Sequence, residues 1–254
     1  MKKVILFVLF AWAFTFAVPH EAIAQQASSQ EDLLFEEFED EFKEVDEVFD
    51  PLRGYNKVMT NFNDGFYINI LMPVSKGYEN VVHENIRTGV SNVFDNLFSP
   101  IRFINNILQF KFANASEELG RFVINSTFGL LGIMDVAKKF DLEPHKEDFG
   151  QTLGYYGIGS GFHVVLPFLG PSNIRDIIGL TTDSHVNVLS TNVAYDAYQI
   201  PNNTLEQVGY KSFDVVNTQS FNPTAYENLK KQAVDLYPFL RDIYEQRRKT
   251  LIEE

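Results

Sequence analysis

FGQTLGYYGIGSGFHVVLPFLGPSNIRD, residues 149–176, is the stretch on which the fold turns. Gly150, Gly154, Gly157, Gly159, Gly161 and Gly170 punctuate it. Glycine relaxes backbone sterics and lets another surface come close. Between the glycines stand Tyr155, Tyr156, Phe162, Val164, Val165, Leu166 and Phe168, with Pro167 ahead of the last. Loop-type backbone therefore carries core-type or lipid-type side chains, whereas an ordinary surface loop is more polar. Residues 164–169 read equally as a strand or as an apolar loop. Pro171 to Asn173 then start a helix that opens with Arg175 and Asp176.

Upstream, Asp50 and Pro51 predict a helix start, because Asp caps well and Pro at the first helical position sacrifices no needed hydrogen bond. Leu52, Tyr55, Met59, Phe62, Phe66 and Ile70 then form one apolar stripe. Beyond Gly65 the other side turns apolar too, and Pro73 is expected to end the helix. An end that is apolar all round belongs in a core or in lipid. Ser99-Pro100 predicts a second start, and Asn114 with Glu117 a third. Residues 128–136 are apolar around Gly129 and Gly132, where helices could pack closely. Residues 141–148 read as a polar linker. Downstream, helices are expected over 172–182, 183–199, 204–218 and 224–250. The last is expected to be capped by Asn222-Pro223 and kinked at Tyr237-Pro238.

Three blocks in this order resemble the MlaA/VacJ family. The first is Asp50-Pro51-Leu52, Asn56, Met59 and Phe62-Asn63. The second runs from Arg87 and Gly89 through Asn106 and Gln109 to RFVINSTFGLLGIMDVA, which holds Arg121 and Asn125. The third is FGQTLG with LP-x-LGPS-x-x-RD, which holds Arg175 and Asp176. The resemblance implies an all-α body, ring-like and embedded in one leaflet of a membrane, with a short irregular or hairpin segment. It implies passive removal of misplaced phospholipid from the outer leaflet of a Gram-negative outer membrane. An outer-membrane porin and a soluble periplasmic lipid carrier would be the partners. The chain departs from the family pattern at Arg53, where Glu is usual, and at Phe162 and His163, where Pro and an aromatic are usual.

The amino terminus reads as an export signal cleaved after Ala24: Lys2 and Lys3, an apolar run, then Ala22-Ile23-Ala24. The chain has no cysteine, hence no disulfide and no lipoprotein acceptor. Residues 31–50 hold eleven acidic side chains and one lysine, 1 − 11 = −10 of the whole-chain charge of −13. Such an acidic chain argues against nucleic acid, which binds by phosphate neutralisation. Phe35, Phe38, Phe42, Val45 and Phe49 line one helical stripe of this arm, which either docks on its own domain or partly melts, with the acids as a solvated face, or fits a partner's groove. The organisation read is a leader over 1–24, an acidic arm over 25–49 and one helical domain over 50–254.

Catalytic signatures are sparse. No HExxH, Walker A or zinc-binding cysteine set is present. Ser160 with His163 as base would suit a lipid hydrolase or acyltransferase, but no orienting acid is evident. His145, Glu147 and Asp148 read better as a solvated linker than as metal ligands, so neither metal nor cofactor is expected. A third alternative is a structural periplasmic interaction protein. The favoured reading is an amphipathic lipid passage, with Asn61, Phe62, Asn63, Phe66, Gly154, Tyr155, Tyr156, Gly157, Gly159, Gly161, Phe162 and Pro167 as its candidate wall or gate. Amides and hydroxyls within apolar runs, such as Asn105, Asn106, Asn125, Ser126 and Thr127, suit a polar lane or, taken singly, caps and bridges between helices.

Overall fold

The computed structural model describes residues 49–191 and 199–254. The export signal, the Phe stripe of the acidic arm before Phe49 and part of the helix expected over 183–199 lie outside the described residues. The described chain is mainly helical. Its helices are α1 (Arg53–Phe66), α2 (Met72–Val81), α3 (Glu84–Leu108), α4 (Phe112–Thr127), α5 (Phe149–Tyr155), α6 (Ile174–Asp183), α7 (Thr204–Gln219), α8 (Ala225–Gln232) and α9 (Leu236–Glu253). The strands β1 (His163–Leu166) and β2 (Gly170–Asn173) form one antiparallel hairpin between α5 and α6. The glycine segment is thus a short helix, a loop and a hairpin.

Several starts and stops differ from the sequence reading. Pro73 does not end the first helix. A π turn, Tyr67–Leu71, widens the backbone just before it, Met72 N donates to Tyr67 O, and α2 continues. The extra residue relieves the clash that proline makes with the turn below it. Ser99-Pro100 starts nothing: Pro100 lies within α3, which begins at Glu84 under a His83 cap. Asn114 and Glu117 sit inside α4, and Glu117 pairs instead with His145. Asp50 does not cap α1, which starts at Arg53 after an uncapped Leu52. Its carboxylate accepts from Asn56 and from the Tyr237 hydroxyl. The helix expected from 183 is turns over residues 184–191. The final helix is two, because the chain extends at Ala233 and restarts under an Asp235 cap. Asn222 makes no cap there, and Pro238 falls in the first turn of α9, where it bends nothing.

The hairpin is held by α1. Asn56 donates to His163 O and accepts from Val165 N. Asn63 donates to Leu166 O and accepts from Phe168 N. Two helical turns rise about 10.5 Å and three strand residues about 10 Å, so amides seven residues apart on α1 meet strand groups three apart. Val165 lies opposite Pro171, a pair that needs no bond across the hairpin, so the missing proline N–H leaves nothing unpaired. At the turn Phe168 takes φ 64° and stands edge-on to Phe62 and Phe66, with centroids 5.0 and 4.9 Å apart. A small apolar core of Tyr67, Leu71, Met72, Tyr226 and Leu240 joins the π turn and α2 to α8 and α9.

Arg248 closes the far side. It donates to Asp148 at 2.7 and 2.8 Å and to Asp176 at 2.9 Å, tying α9 to the cap of α5 and to α6. Arg248 is buried, although it stands in a run of basic residues near the C-terminus. Residues 141–148 are no solvated linker either. Glu147 is buried among Gln109, Lys111 and Gln151, and Asp148 caps α5. Gly179 lies so close to Gly150 that a Cβ there would stand 2.7 Å from Gly150 Cα. Only glycine permits this crossing of α5 and α6.

Candidate functional site

The usual polarity of a helical protein is reversed over much of this surface. On α1 the buried positions are Asn56, Thr60 and Asn63, while Tyr55, Val58 and Phe62 are exposed. The apolar stripe read from the sequence exists, but its outer half faces away from the core. On α3 the buried face holds Arg87, Asn96, Ser99, Arg102, Asn105 and Asn106, with Ile86, Ile104, Ile107 and Leu108 outside. On α4, Glu118, Arg121 and Asn125 point in, while Leu119 and Val123 point out. Residues 128–134 form an apolar loop rather than a helix, and Gly132 packs this loop closely on α3, where a Cβ would stand 2.7 Å from Asn96 Cβ. Phe128 and Leu131 are more than 70 % exposed, and Leu130 and Leu131 adopt positive φ. Water would penalise this continuous apolar exterior, whereas the hydrocarbon of a membrane would not.

Between α3 and α4 the inward polar groups line a cleft of about 20 Å³: Asn92, Asp95, Asn96, Ser99, Arg102, Arg121, Asn125 and Asp135. That is space for about one water. Arg102 meets Asp95 at 2.6 Å, Arg121 meets Asp135 at 2.9 Å, and Asn125 donates to Asp135 at 3.0 Å. Asn96 donates to Ser126, yet its buried Oδ1 has no hydrogen-bond partner. Burial works against the Asp95 charge, but the Arg102 guanidinium, with Lys146 and Arg121, holds its carboxyl below the usual carboxylate range. On α7, burial pushes Asp214 up to about 7, with Asp95 adding repulsion. Burial alone brings Lys211 down to about 8. Chemically, this interior sets charges of both signs around a space that holds about one water.

The candidate passage residues divide. Asn63 is a buried latch to the hairpin, and Asn61 and Phe62 are exposed beside it. Phe66, Phe162 and Pro167 are half-buried. Gly154 packs on α9, where a Cβ would stand 2.5 Å from Ile252 Cδ1. Tyr155, Tyr156, Gly157 and Gly159 form an exposed run with Ile158. Gly157 and Gly161 have φ of 80° and 71°; Gly159 has neither positive φ nor any neighbour within 4 Å of a Cβ. Among the motif residues, Arg121 and Asn125 both hold Asp135, Arg175 bonds Asp176, and Pro51 is exposed.

Ser160 and His163 are not joined. Ser160 Oγ bonds Gly161 O at 3.3 Å, and His163, 3 % exposed, places Nδ1 2.9 Å from Glu245 Oε1. Glu245 also accepts from Asn173. An acid does face His163, but the pair braces β1 against α9 rather than activating the serine. Sequence reasoning missed Glu245, Arg102, Asp135 and Arg248. For Arg102 a signal existed in charged residues recurring on the polar side of an apolar helix, whereas Asp135 lies in a loop and nothing in the spacing of Arg248 marks it. Glu245 gave none.

A family model described as MlaA lipoprotein matches residues 48–251. The intermembrane phospholipid transport system lipoprotein MlaA of Escherichia coli is 38 % identical over 150 residues, 56 % of this chain and 58 % of that protein. The Haemophilus influenzae protein of the same name is 34 % identical over 146 residues, 56 % of this chain and 58 % of its own length. An uncharacterised Rickettsia prowazekii protein is 34 % identical over 146 residues, 58 % of this chain and 57 % of that protein. The chain thus spans a little over half the length of these relatives. A solved structure described as the structural basis for maintenance of bacterial outer membrane lipid asymmetry superposes with a TM-score of 0.66 at 28 % identity, covering 80 % of this chain and 98 % of that one.

Proposed function

Since the chain belongs to the MlaA lipoprotein family, we propose that it is a passive phospholipid-transfer component on the periplasmic side of the outer membrane. Phospholipid misplaced in the outer leaflet enters it and passes to a soluble periplasmic carrier, with an outer-membrane porin as the resident partner. The observation that carries this reading is the reversed polarity of α1, α3 and α4, apolar over much of the outside and largely polar within, with buried charges on α3 and α4. Acyl chains need the first environment and head groups the second. In this conformation the cleft admits about a water, so head-group passage requires α3 and α4 to part. The exposed segment 155–159, beside the hairpin, supplies the edge of the entrance.

Attachment to the membrane rests on this apolar exterior. Among the described residues no helix is long and apolar enough to cross a bilayer, and the chain has no cysteine to acylate. Transfer rather than hydrolysis is supported by the separation of Ser160 from His163. The test is lipid extraction from the detergent-purified full chain, with outer-leaflet phospholipid measured in cells that depend on it. Copurified phospholipid, and its accumulation in the outer leaflet on deletion, are the expected results. A lipid-free protein whose deletion leaves the outer leaflet unchanged overturns the proposal. A lipase activity abolished by Ser160→Ala would instead favour the hydrolase.

A further inference from the structure

A second cavity, of about 350 Å³, lies apart from the α3–α4 cleft. It is lined by Ser160, Arg175, Glu245, Lys249, Ile252 and Glu253, where the start of α6 meets the last turns of α9. Arg175 is only 7 % exposed. Its Nε is bound to Asp176 at 3.2 Å, its Nη1 reaches Ile158 O at 3.4 Å, and its backbone N–H donates to Ser160 O. Its Nη2 makes no hydrogen bond among the described residues and is not sealed from solvent, so it is open to donate. Lys249, exposed at the rim, also has no partner there. The two carboxylates of the wall differ. Glu245 is occupied by His163 and Asn173, whereas Glu253 is free to accept.

We infer that this cavity is a binding site for a zwitterionic phosphodiester, the head group of a phosphatidylethanolamine-like lipid. Its phosphate lies between Arg175 Nη2 and Lys249 Nζ, and its ammonium is turned to Glu253. A guanidinium fixed by its neighbours and a mobile ammonium together suit a phosphate, one as a fork and the other as a point charge. The volume leaves room for the head group and its waters, each of which takes ~30 Å³ in the liquid. The exposed Tyr155, Tyr156 and Ile158 adjoin it through the Ile158–Arg175 bond and offer the acyl chains an apolar run. The inference rests on the lipid-transfer reading and adds to it a second head-group station, outside the α3–α4 cleft.

The test titrates glycerophosphoethanolamine and inorganic phosphate into the detergent-solubilised full chain, followed by ³¹P line broadening. Lys249→Glu is the main variant because Lys249 is exposed and bonded to nothing in the fold. It should weaken glycerophosphoethanolamine binding roughly tenfold, about 1.4 kcal/mol, while the exposed Lys231→Glu changes nothing. Glu253→Gln should weaken glycerophosphoethanolamine and leave phosphate unchanged. Arg175→Lys should weaken both with the thermal melt retained. If neither compound binds, or Lys249→Glu binds as wild type, the site is overturned. If phosphate binds as well as glycerophosphoethanolamine and Glu253→Gln affects neither, its assignment to a lipid head group is overturned. Should the purified chain carry no phospholipid while glycerophosphoethanolamine still binds here, the transfer reading fails and the site stands.

Discussion

Arg248 shows how much one side chain can carry in a fold with a small apolar core. It is buried between Asp148 and Asp176, and these neighbours, with Tyr244, raise its pKa against the opposing pull of burial. Removing one partner of a buried ionic group strands the others, at about 3–5 kcal/mol. Arg248→Ala should therefore lower the thermal midpoint steeply in a detergent melt. The neighbouring Lys249→Ala should leave it unchanged. In the sequence Arg248 is one of several basic residues near the C-terminus, and nothing in its spacing marks it as the buried one. The glycines divide in the same way. Gly159 looks special in the sequence because Gly157 and Gly161 flank it, yet its surroundings are open. Gly159→Val should melt as wild type, whereas Gly179→Ala, forced against Gly150, should cost ~3 kcal/mol, the upper end of overpacking.

At the scale of elements, periodicity revealed the stripes but not which way they face. The pattern of α1 is the same whether its apolar side meets a core or a membrane, so burial was the natural reading. The hairpin was half legible: residues 164–169 suggested a strand, but its partner was hidden in Gly170-Pro171-Ser172-Asn173, which reads as a turn and cap. Asn173 does cap α6, as the segment suggested, by accepting from Asp176 N. The breaks at Pro73, Pro100 and Pro238 misled because proline marks a boundary only where the backbone cannot widen, as in the π turn, or where an N–H is needed. What neither period nor proline could disclose is the pair of amides joining α1 to β1. Asn63→Ala leaves Leu166 O and Phe168 N without their partner. Each unmet buried group costs about 1–3 kcal/mol, so proteolysis within residues 166–170 should speed up before the global melt shifts.

For the whole molecule, reversed polarity predicts the response to salt, and buried acids predict the response to pH. Attachment through apolar surface strengthens with salt, while electrostatic attachment weakens. Membranes washed in high salt should therefore keep the protein, with detergent needed to release it, as immunoblotting of the fractions would record. Asp214 gives the pH response. Its ordinary pKa of 3.8 rises to about 7 in the fold through burial and Asp95, against the opposing pull of Lys146 and Arg102. Between these values the folded state holds a proton that the unfolded chain has lost. Its contribution to stability is thus complete below the lower value and disappears as pH rises towards the upper one. The thermal midpoint should fall between pH 5 and 7.5 in wild type, and Asp214→Asn should lessen that fall and leave the part due to Asp183, which burial also raises to about 7.

The amides of α1 also decide what the hairpin cannot do. A two-stranded ribbon ordinarily offers its outer backbone groups to any extended chain that drifts past, the first step of edge-to-edge aggregation. Here the outward groups of His163 and Val165 are already occupied by Asn56. The folded chain therefore offers β1 to no extended strand that approaches it.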